Sequence, residues 1–440
     1  MTELDYRTRL PGYYPSAWPV ECGGPRRQKL VGSPGPALRP GDLLASTVRD
    51  MGGWAVMLVQ RGPGELFVQG GAGVSLDRLP PHHTVDGDSA GWVERIDPVT
   101  LETLARSPSL PSGGHLWCGA IVVHANGDLY VVNGRYCHRL NPACEIVAER
   151  ELPVDGPYNG LLVLSDGHLV MKNLGYREGE PCLWSILEPE RLEPVGEPFV
   201  IDEPCMGRFS SDLTAHGEYL YASTAREVFR LRYAGGVLEE DPDWCGLYAL
   251  EGEDQADGWD TTIGSDSVWL MDMGRPAHWG RSATAAQRAF RFSTTDAKDS
   301  DVVDVFWRPG AFSPGAPLYD PERRILVVYD GANGGVAALR YRAPGALDLL
   351  WRQELRNNVQ MMLYADTGEL VLENAPPLAQ RNEGRSADAV IVDIESGREL
   401  GRAPIGSHAT SGMFLCPGFG RDLYVASLWG TIARIFVATP

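Results

Sequence analysis

The sequence has no apolar run long enough to cross a membrane as a helix. No stretch approaches the roughly 20 consecutive apolar residues that a bilayer span requires. The first ten residues, MTELDYRTRL, also lack the apolar segment of a secretory signal peptide. We therefore expect a cytoplasmic protein without a membrane partner.

The sequence is also short of basic residues and of nucleotide-binding motifs. It has 39 Lys and Arg residues against 58 Asp and Glu residues, which gives a formal net charge of −19. A field of that sign repels phosphate backbones, so we expect no nucleic-acid partner. The chain contains neither a Walker loop nor a G-x-S-x-G, H-E-x-x-H or zinc-knuckle pattern, so no nucleotide cofactor is implied.

Paired cysteine motifs are absent as well. The eight cysteines are scattered, without any C-x-x-C pair. In a cytoplasmic chain of this size we expect them to be reduced and buried. The alternative is one disulfide between Cys137 and Cys144, which flank the turn at Asn141 and Pro142.

Helical periodicity is scarce, whereas turn residues are abundant. No long stretch repeats apolar residues every 3.6 positions, and the chain has 51 Gly and 33 Pro. The stretches 120–132 and 161–171 each consist of an apolar run, a turn with Asn-Gly or Asp-Gly, and a second apolar run. This pattern predicts β-hairpins. A four-strand unit that repeats about every 40 residues is typical of a propeller blade.

The same hairpin recurs along the whole chain. Its second strand contains one equivalent apolar residue in each repeat: Leu66, Leu129, Leu169, Leu220, Val268, Ile325, Leu370 and Leu423. We therefore predict an all-β fold, a closed β-propeller of eight four-stranded blades. The alternative is seven blades, with the first hairpin as an addition to the ring.

The two ends of the chain are expected to close the ring. We assign residues 1–40 to an extended N-terminal arm that lies over the body, and residues 41–440 to a single propeller domain. Only one strand fits between the last hairpin and Pro440, so the last blade lacks its outermost strand. We predict that the arm completes this blade, with Gln28–Val31 as the segment that supplies the strand.

The turns of two blades carry a family resemblance. The segments Ile96–Thr100 and Asp393–Leu400 resemble the D-x-x-T-G turns of quinoprotein-like propellers. Quinone-binding repeats have a Trp shortly after that Thr-Gly, whereas this chain has Leu400 there, so the resemblance implies no quinone cofactor. The style of the repeats is also similar to that of gluconolactonase-like and strictosidine-synthase-like propellers. Gluconolactonase-like propellers hold a divalent ion on the axis with Glu, Asn and Asp side chains.

Candidate functional residues lie just before each hairpin. The innermost strand of every blade starts at the same mouth of the central channel, so the segments that lead into these strands converge there. Four of these segments supply oxygen ligands that suit a hard cation: Asn159, Asp212, Asp260 and Asn358. One hypothesis is therefore an axial site for Ca²⁺ or another divalent metal ion.

A second hypothesis is acid–base catalysis without a metal. His115 and His408 lead into blades two and eight, which flank blade one in an eight-membered ring, and Tyr158 is the nearest phenol. The side chains that we expect to contact a substrate are two indoles and three guanidinium groups: Trp117, Trp259, Arg208, Arg308 and Arg356. The arginines suit a carboxylate or a phosphate. The insert 275–288 is a candidate lid over the mouth.

Together these features favour an enzyme that acts on a small organic molecule at the channel mouth. Hydrolase, lyase or isomerase chemistry is favoured because no cofactor fingerprint is present. The alternative is a non-catalytic propeller that serves as a scaffold for protein–protein interaction. The irregular blades and the polar residues at the mouth favour the enzyme, although a fold alone fixes no function.

Overall fold

The computed structural model describes most of the chain. The described residues are 10–32, 35–71, 90–115, 117–175, 179–249, 258–272, 286–358, 360–377, 380, 385–407, 413–428 and 430–438. They contain 34 β-strands and one short 3₁₀-helix, Glu21–Gly23. Within these ranges no helix is long and apolar enough to span a membrane.

The first half of the chain forms two N-terminal strands and four blades. The N-terminal strands are β1 (Leu30–Val31) and β2 (Leu44–Asp50). Blade 1 contains β3 (Trp54–Gln60), β4 (Leu66–Gly71), β5 (Ala90–Ile96) and β6 (Thr103–Arg106), with β7 (Leu110–Pro111) paired to β5. Blade 2 contains β8 (Cys118–Val123), β9 (Leu129–Asn133), β10 (Tyr136–Leu140) and β11 (Ile146–Glu151). Blade 3 contains β12 (Tyr158–Val163), β13 (Leu169–Asn173), β14 (Cys182–Leu187) and β15 (Phe199–Ile201). Blade 4 contains β16 (Ser210–Thr214), β17 (Gly217–Ser223), β18 (Glu227–Ala234) and β19 (Val237–Leu247).

The second half of the chain forms the other four blades. Blade 5 contains β20 (Thr262–Ile263), β21 (Ser267–Met271), β22 (Ala286–Ser293) and β23 (Ser300–Pro309). Blade 6 contains β24 (Leu318–Asp320), β25 (Ile325–Tyr329), β26 (Val336–Ala343) and β27 (Ala346–Gln353). Blade 7 contains β28 (Met362–Tyr364), β29 (Glu369–Asn374), β30 (Asp388–Asp393) and β31 (Glu399–Pro404). Blade 8 contains β32 (Met413–Pro417), β33 (Asp422–Ser427) and β34 (Thr431–Val437).

The prediction of an eight-bladed propeller is confirmed. The strands within each blade are antiparallel, and the first strands of neighbouring blades pack against one another around the axis. All eight apolar residues that we took as equivalent lie in second strands, which are almost entirely buried. A strand buried on both faces between neighbouring blades must be apolar over its whole length, and this is why the repeat was visible in the sequence.

An N-terminal strand completes the last blade, as predicted, but it is a different strand. β2 pairs antiparallel with β34, from Leu44 opposite Val437 to Asp50 opposite Thr431. The segment that we expected in this position instead forms β1, which pairs in parallel with β28 of blade 7. The burial of the side chains explains the difference. Leu30 and Val31 are buried, as an interior position requires, whereas the side chains of β2 are half-exposed or exposed, as suits an outermost strand.

The N-terminal arm does not lie over the body of the ring; it fills the middle of it. Innermost strands have no neighbouring strand on the side of the axis, and several of them donate backbone hydrogen bonds to the arm. The acceptors are carbonyls along the arm: Trp18 O for Gln60, Pro19 O for Val123, Pro25 O for Ser211, Arg26 O for Ile263 and Lys29 O for Leu363. The arm therefore contacts the inner strands of blades 1, 2, 4, 5 and 7.

The arm enters and leaves the channel at the same end. Trp18 lies beside Gln60, the last residue of an innermost strand, and Val31 O accepts a hydrogen bond from Ala365 N in the hairpin turn of blade 7. The deepest part of the arm lies between these points. The arm thus fills the channel from the mouth that the hairpin turns surround. The opposite mouth is the one at which the innermost strands start.

All eight cysteines are free, and seven of them are buried. The alternative disulfide between Cys137 and Cys144 is therefore not formed. Cys245 is the exposed one, on the outermost strand of blade 4.

Candidate functional site on the propeller axis

The segments that lead into the innermost strands do meet around the axis. The Trp117 indole N–H donates to Asn159 Oδ1 over 3.3 Å, and Asn159 Nδ2 donates to Met206 O over 3.0 Å. The backbone N–H of Arg208 donates to Asp260 Oδ1 over 2.6 Å. These hydrogen bonds join blades 2 to 3, 3 to 4 and 4 to 5. Four of the predicted site residues therefore lie in one arc at the strand starts.

The arm places a carboxylate and a guanidinium group at the centre of this arc. Glu21 Oε2 lies 3.0 Å from Arg27 Nη1 and 3.2 Å from Arg208 Nε, and Gln360 Nε2 donates to Glu21 Oε1 over 2.7 Å. Arg27 Nη2 also lies 2.7 Å from Asp260 Oδ2. We call these five buried residues, Glu21, Arg27, Arg208, Asp260 and Gln360, the axial cluster.

The electrostatics of the cluster favour an ionised carboxylate in its centre. Burial raises the pKa of Glu21, but the Arg208 and Arg27 guanidinium groups outweigh burial and lower this pKa to about 2. Next to the cluster, burial lowers the pKa of Lys29 to about 8, and its ammonium group donates only to the Ala316 and Pro317 carbonyls. Lys29 is thus a buried cation without a carboxylate partner among the described residues.

Several buried polar atoms at the strand starts have no hydrogen-bond partner within the described residues. They include Arg208 Nη2 and Asn358 Oδ1. Near Asn358 lies Glu373, whose Oε2 also has no partner and whose pKa is raised well above its usual value by burial. Buried polar groups in native proteins are nearly always satisfied, so such atoms indicate places where water or a ligand binds.

Three of the four predicted metal ligands bond to other protein groups. Arg26 Nε donates to Asp212 Oδ1 over 2.7 Å, and Asp260 is paired with Arg27, so the arm neutralises both carboxylates. Asn159 bonds to Trp117 and Met206, and Asn358 lies across the axis in blade 7. The described part of the chain contains no group of three His, Cys, Asp or Glu residues placed to hold a metal ion.

Two of the three acid–base candidates have partners outside the axial cluster. His115 Nε2 lies 3.0 Å from Asp155 Oδ1, and Asp155 is 77% exposed, so this pair lies at the surface. The Tyr158 hydroxyl is buried and accepts the Val154 N–H over 3.1 Å, and burial raises its pKa to about 12. Tyr158 therefore packs between blades. His408 lies outside the described residues.

Of the other predicted substrate contacts, some lie at strand starts and one lies on the outside of the ring. Trp117 and Trp259 are buried at strand starts. Arg356 Nη1 donates to Gly331 O over 2.9 Å and so links blade 7 to blade 6. The placement of Arg308 at a strand start was wrong, because β23 extends to Pro309; Arg308 is 44% exposed on the outermost strand of blade 5.

The arm residues Glu21, Arg27 and Lys29 were missed because the arm has no hydrophobic period. A signal was nevertheless present in the sequence. The stretch from Val20 to Leu30 contains four charged residues among Gly, Pro and apolar residues. Such a stretch suits an extended segment that is buried among polar partners.

Comparison with known proteins shows the fold. No protein-family model and no curated protein matches the chain. The quinohemoprotein alcohol dehydrogenase of Comamonas testosteroni is similar over 100% of this chain and 83% of its own, with a TM-score of 0.65 and 9% identity. A europium-containing methanol dehydrogenase is similar over 99% of both chains, with a TM-score of 0.61 and 10% identity. The periplasmic gluconolactonase of Pseudomonas aeruginosa is similar over 86% of this chain and 88% of its own, with a TM-score of 0.47 and 13% identity.

The chain has the fold of these propellers. This is the propeller fold that the resemblance to quinoprotein-like repeats implied. At such low identity, the likeness shows the fold alone.

The inference that no quinone cofactor is implied was wrong. It rested on Leu400, yet the chain is similar to two quinohemoprotein alcohol dehydrogenases over nearly its whole length. A side chain on β31, the outermost strand of blade 7, is too far from the axis to determine what binds there. The axial carboxylates of Asp212 and Asp260 are both paired with arginines of the arm, so we derive no step through a quinone or a metal ion.

Proposed function

We propose that this protein binds a small organic anion at the axial cluster and acts on it as an enzyme. The observation that carries the proposal is Arg208 Nη2, a guanidinium nitrogen on the axis with no partner among the described residues. A guanidinium group pairs with carboxylate or phosphate oxygens in a fixed planar geometry. The ligand that suits it therefore carries one of these groups.

The balance of charge around the arm supports an anionic ligand. The arm and the strand starts bring together three carboxylates, of Glu21, Asp212 and Asp260, and four cationic side chains, of Arg26, Arg27, Lys29 and Arg208. The axis is thus net positive in a chain whose formal charge is −19. A local positive potential of this kind attracts an anion that the rest of the surface repels.

The path of the arm supports the strand-start mouth as the entrance for the ligand. Because the arm fills the channel from the hairpin-turn mouth, the strand-start mouth is the free approach to Arg208. Lys29 lies near this position, and its pKa of about 8, lowered by burial, is close enough to neutral pH to favour proton transfer. Proton transfer suits hydrolase, lyase or isomerase chemistry.

The test is anion binding to matched arginine variants. Inorganic phosphate and a panel of small mono-, di- and hydroxycarboxylates are titrated against the protein, with calorimetry and melting temperature as readouts. We expect at least one anion to bind, and Arg208→Met to weaken that binding at least tenfold. Arg308→Met is the control, because Arg308 is an exposed arginine away from the axis. Equal binding to the Arg208→Met variant, or no binding of any anion, contradicts the proposal.

A further inference from the structure

One tryptophan differs from all the others in the described ranges. Trp307 is 71% exposed, whereas the other tryptophans there are buried. A single exposed apolar side chain is common on protein surfaces and needs no function of its own. The significance of Trp307 therefore depends on the backbone that carries it and on the groups around it.

Trp307 lies in a β-bulge at the end of the outermost strand of blade 5. Arg288 of β22 pairs with Asp304 of β23, and Ala286 of β22 pairs with Pro309 of β23. β23 thus has four residues between these two pairs, where β22 has one. Within the bulge the alternation of buried and exposed residues along β23 stops, and Trp307 is exposed. Bulges re-aim side chains in this way and are common beside functional sites.

The indole borders a small polar cleft between blades 5 and 6. The polar side chains of blade 6 that line the cleft are Asp330, Asn333, Arg352 and Glu354. The cleft has a volume of about 30 Å³. A space of that size takes roughly one or two groups as small as water, such as hydroxyl groups. The cleft lies on the strand-start face of the ring, because both β23 and β27 end there.

Hydrogen bonds hold the cleft in place. Asp330 is buried, and its carboxylate oxygens accept the backbone N–H of Asn333 over 3.0 Å and Asn333 Nδ2 over 2.8 Å. Asn333 Nδ2 also donates to Pro309 O over 3.2 Å, across the boundary between the two blades. The loop of blade 6 is thus fixed against the end of the bulge, and the cleft is a built feature of the fold.

The charges that line the cleft balance one another. Arg308 and Arg352 are cations, and Asp330 and Glu354 are anions. Arg308 Nη1 lies 4.0 Å from Glu354 Oε2, which is longer than a hydrogen bond, so the Glu354 carboxylate keeps its oxygens for a ligand. The Arg352 guanidinium carbon lies 5.6 Å from the centre of the Phe306 ring, at the edge of the cleft. A cleft with donors, acceptors and no net charge suits a neutral polar ligand.

We propose that this cleft binds a neutral saccharide. One face of a sugar ring presents C–H groups that pack flat on an indole, and its hydroxyl groups both donate and accept hydrogen bonds. Trp307 supplies the flat apolar surface, and the cleft takes the hydroxyl groups at the edge of the ring. Arg352 donates to these hydroxyl groups, and Glu354 accepts from them. The site is separate from the axial cluster, whose positive charge suits an anion.

The test screens the native protein on an array of neutral oligosaccharides of glucose, galactose, mannose and N-acetylglucosamine. Calorimetry with each free oligosaccharide that is bound then measures its affinity. We expect Trp307→Ala to weaken binding at least tenfold and Glu354→Gln to weaken it to a smaller extent. Phe419→Ala is the matched control and should bind as the wild type does, because Phe419 is an exposed aromatic residue in the hairpin turn of blade 8, at the opposite mouth. Binding to no neutral oligosaccharide, or equal affinity in Trp307→Ala, overturns the proposal.

A second measurement needs no variant. N-Bromosuccinimide oxidises exposed indoles, and peptide mass spectrometry should find Trp307 oxidised before the buried tryptophans. The bound saccharide should slow this oxidation at least fivefold, and inorganic phosphate, the probe of the axial cluster, should neither slow it nor displace the saccharide. Displacement by phosphate contradicts a neutral site. Protection of Trp307 by raised protein concentration without saccharide means that a second copy of the chain covers the indole, and it also overturns the proposal.

Discussion

Glu21 in the arm and Glu373 in blade 7 are both buried carboxyl groups, but their pKa values are shifted in opposite directions. Glu21 contacts Arg27 and Arg208, and its pKa falls to about 2. Burial raises the pKa of Glu373 well above the usual value, and the hydrogen bond from the backbone N–H of Asn358 does not offset it. Burial raises the pKa at both sites. The two guanidinium groups and the hydrogen bond from Gln360 make the difference, so the partners of the arm determine which charges exist on the axis.

The largest effect is expected from removing Arg27, the arginine that pairs with both Glu21 and Asp260. Arg27→Met takes a cation from both Glu21 and Asp260, leaving Asp260 without an ion-pair partner. We expect the free energy of unfolding to fall by about 3–5 kcal/mol, the usual cost of breaking a buried ion pair. Urea unfolding measures it. Arg308→Met, the exposed control, should change stability by no more than about 0.5 kcal/mol; similar losses in both variants would show that the cluster is not a buried ion-pair network.

Acid titration tests Glu21 itself. Its folded pKa of about 2 lies below the ordinary value of 4.5, so the ionised carboxylate stabilises the fold above pH 4.5. This contribution, about 3 kcal/mol by linkage, is lost as the pH falls from 4.5 to 2. Glu21→Gln should lower stability at pH 7 by that order and remove this part of the acid dependence. Parallel curves for both proteins between pH 5 and pH 2 would contradict the assignment.

Lys29 is a buried cation, and its effect on stability should have a different pH dependence from that of Glu21. Its folded pKa of about 8 lies below the ordinary value of 10.5, so its protonation destabilises the fold at neutral pH. We expect this penalty, about 3 kcal/mol by linkage, to disappear as the pH rises from 8 to 10.5. In Lys29→Met the corresponding rise in stability should be absent. Equilibrium unfolding across this pH range is the measurement, and an unchanged slope in the variant refutes it.

The smallest expected effect is at Glu373. Because its raised pKa keeps the carboxyl protonated at neutral pH, Glu373→Gln exchanges one neutral group for another of similar shape. We expect a change in unfolding free energy below about 1 kcal/mol at pH 7, the scale of a neutral hydrogen bond. A loss as large as that of Glu21→Gln would mean that Glu373 is ionised in the folded protein.

Local chemistry explains which features were predictable. The hairpins were found because turn residues such as Asn126 and Gly127 lie between apolar runs, and this information is contained within about ten residues. Arg208 and Asp260 were found because the ring brings all strand starts to one mouth. The position of the arm was not predicted. It depends on ion pairs such as that between Arg27 and Asp260, two residues that are separated by 233 residues in the sequence. No local pattern encodes that contact.

The strand pair β2–β34 also has a consequence for the time course of folding. It joins Leu44 with Val437, so this contact closes the longest loop among the described strand pairs. Loop closure of that length is slow compared with the formation of any single hairpin. Blades 1 to 7 consist of consecutive strands and can form as local units, whereas blade 8 has to wait for both ends of the chain. Completion of the ring is therefore expected to be the rate-limiting step, with an open ring around the arm as the species that precedes it.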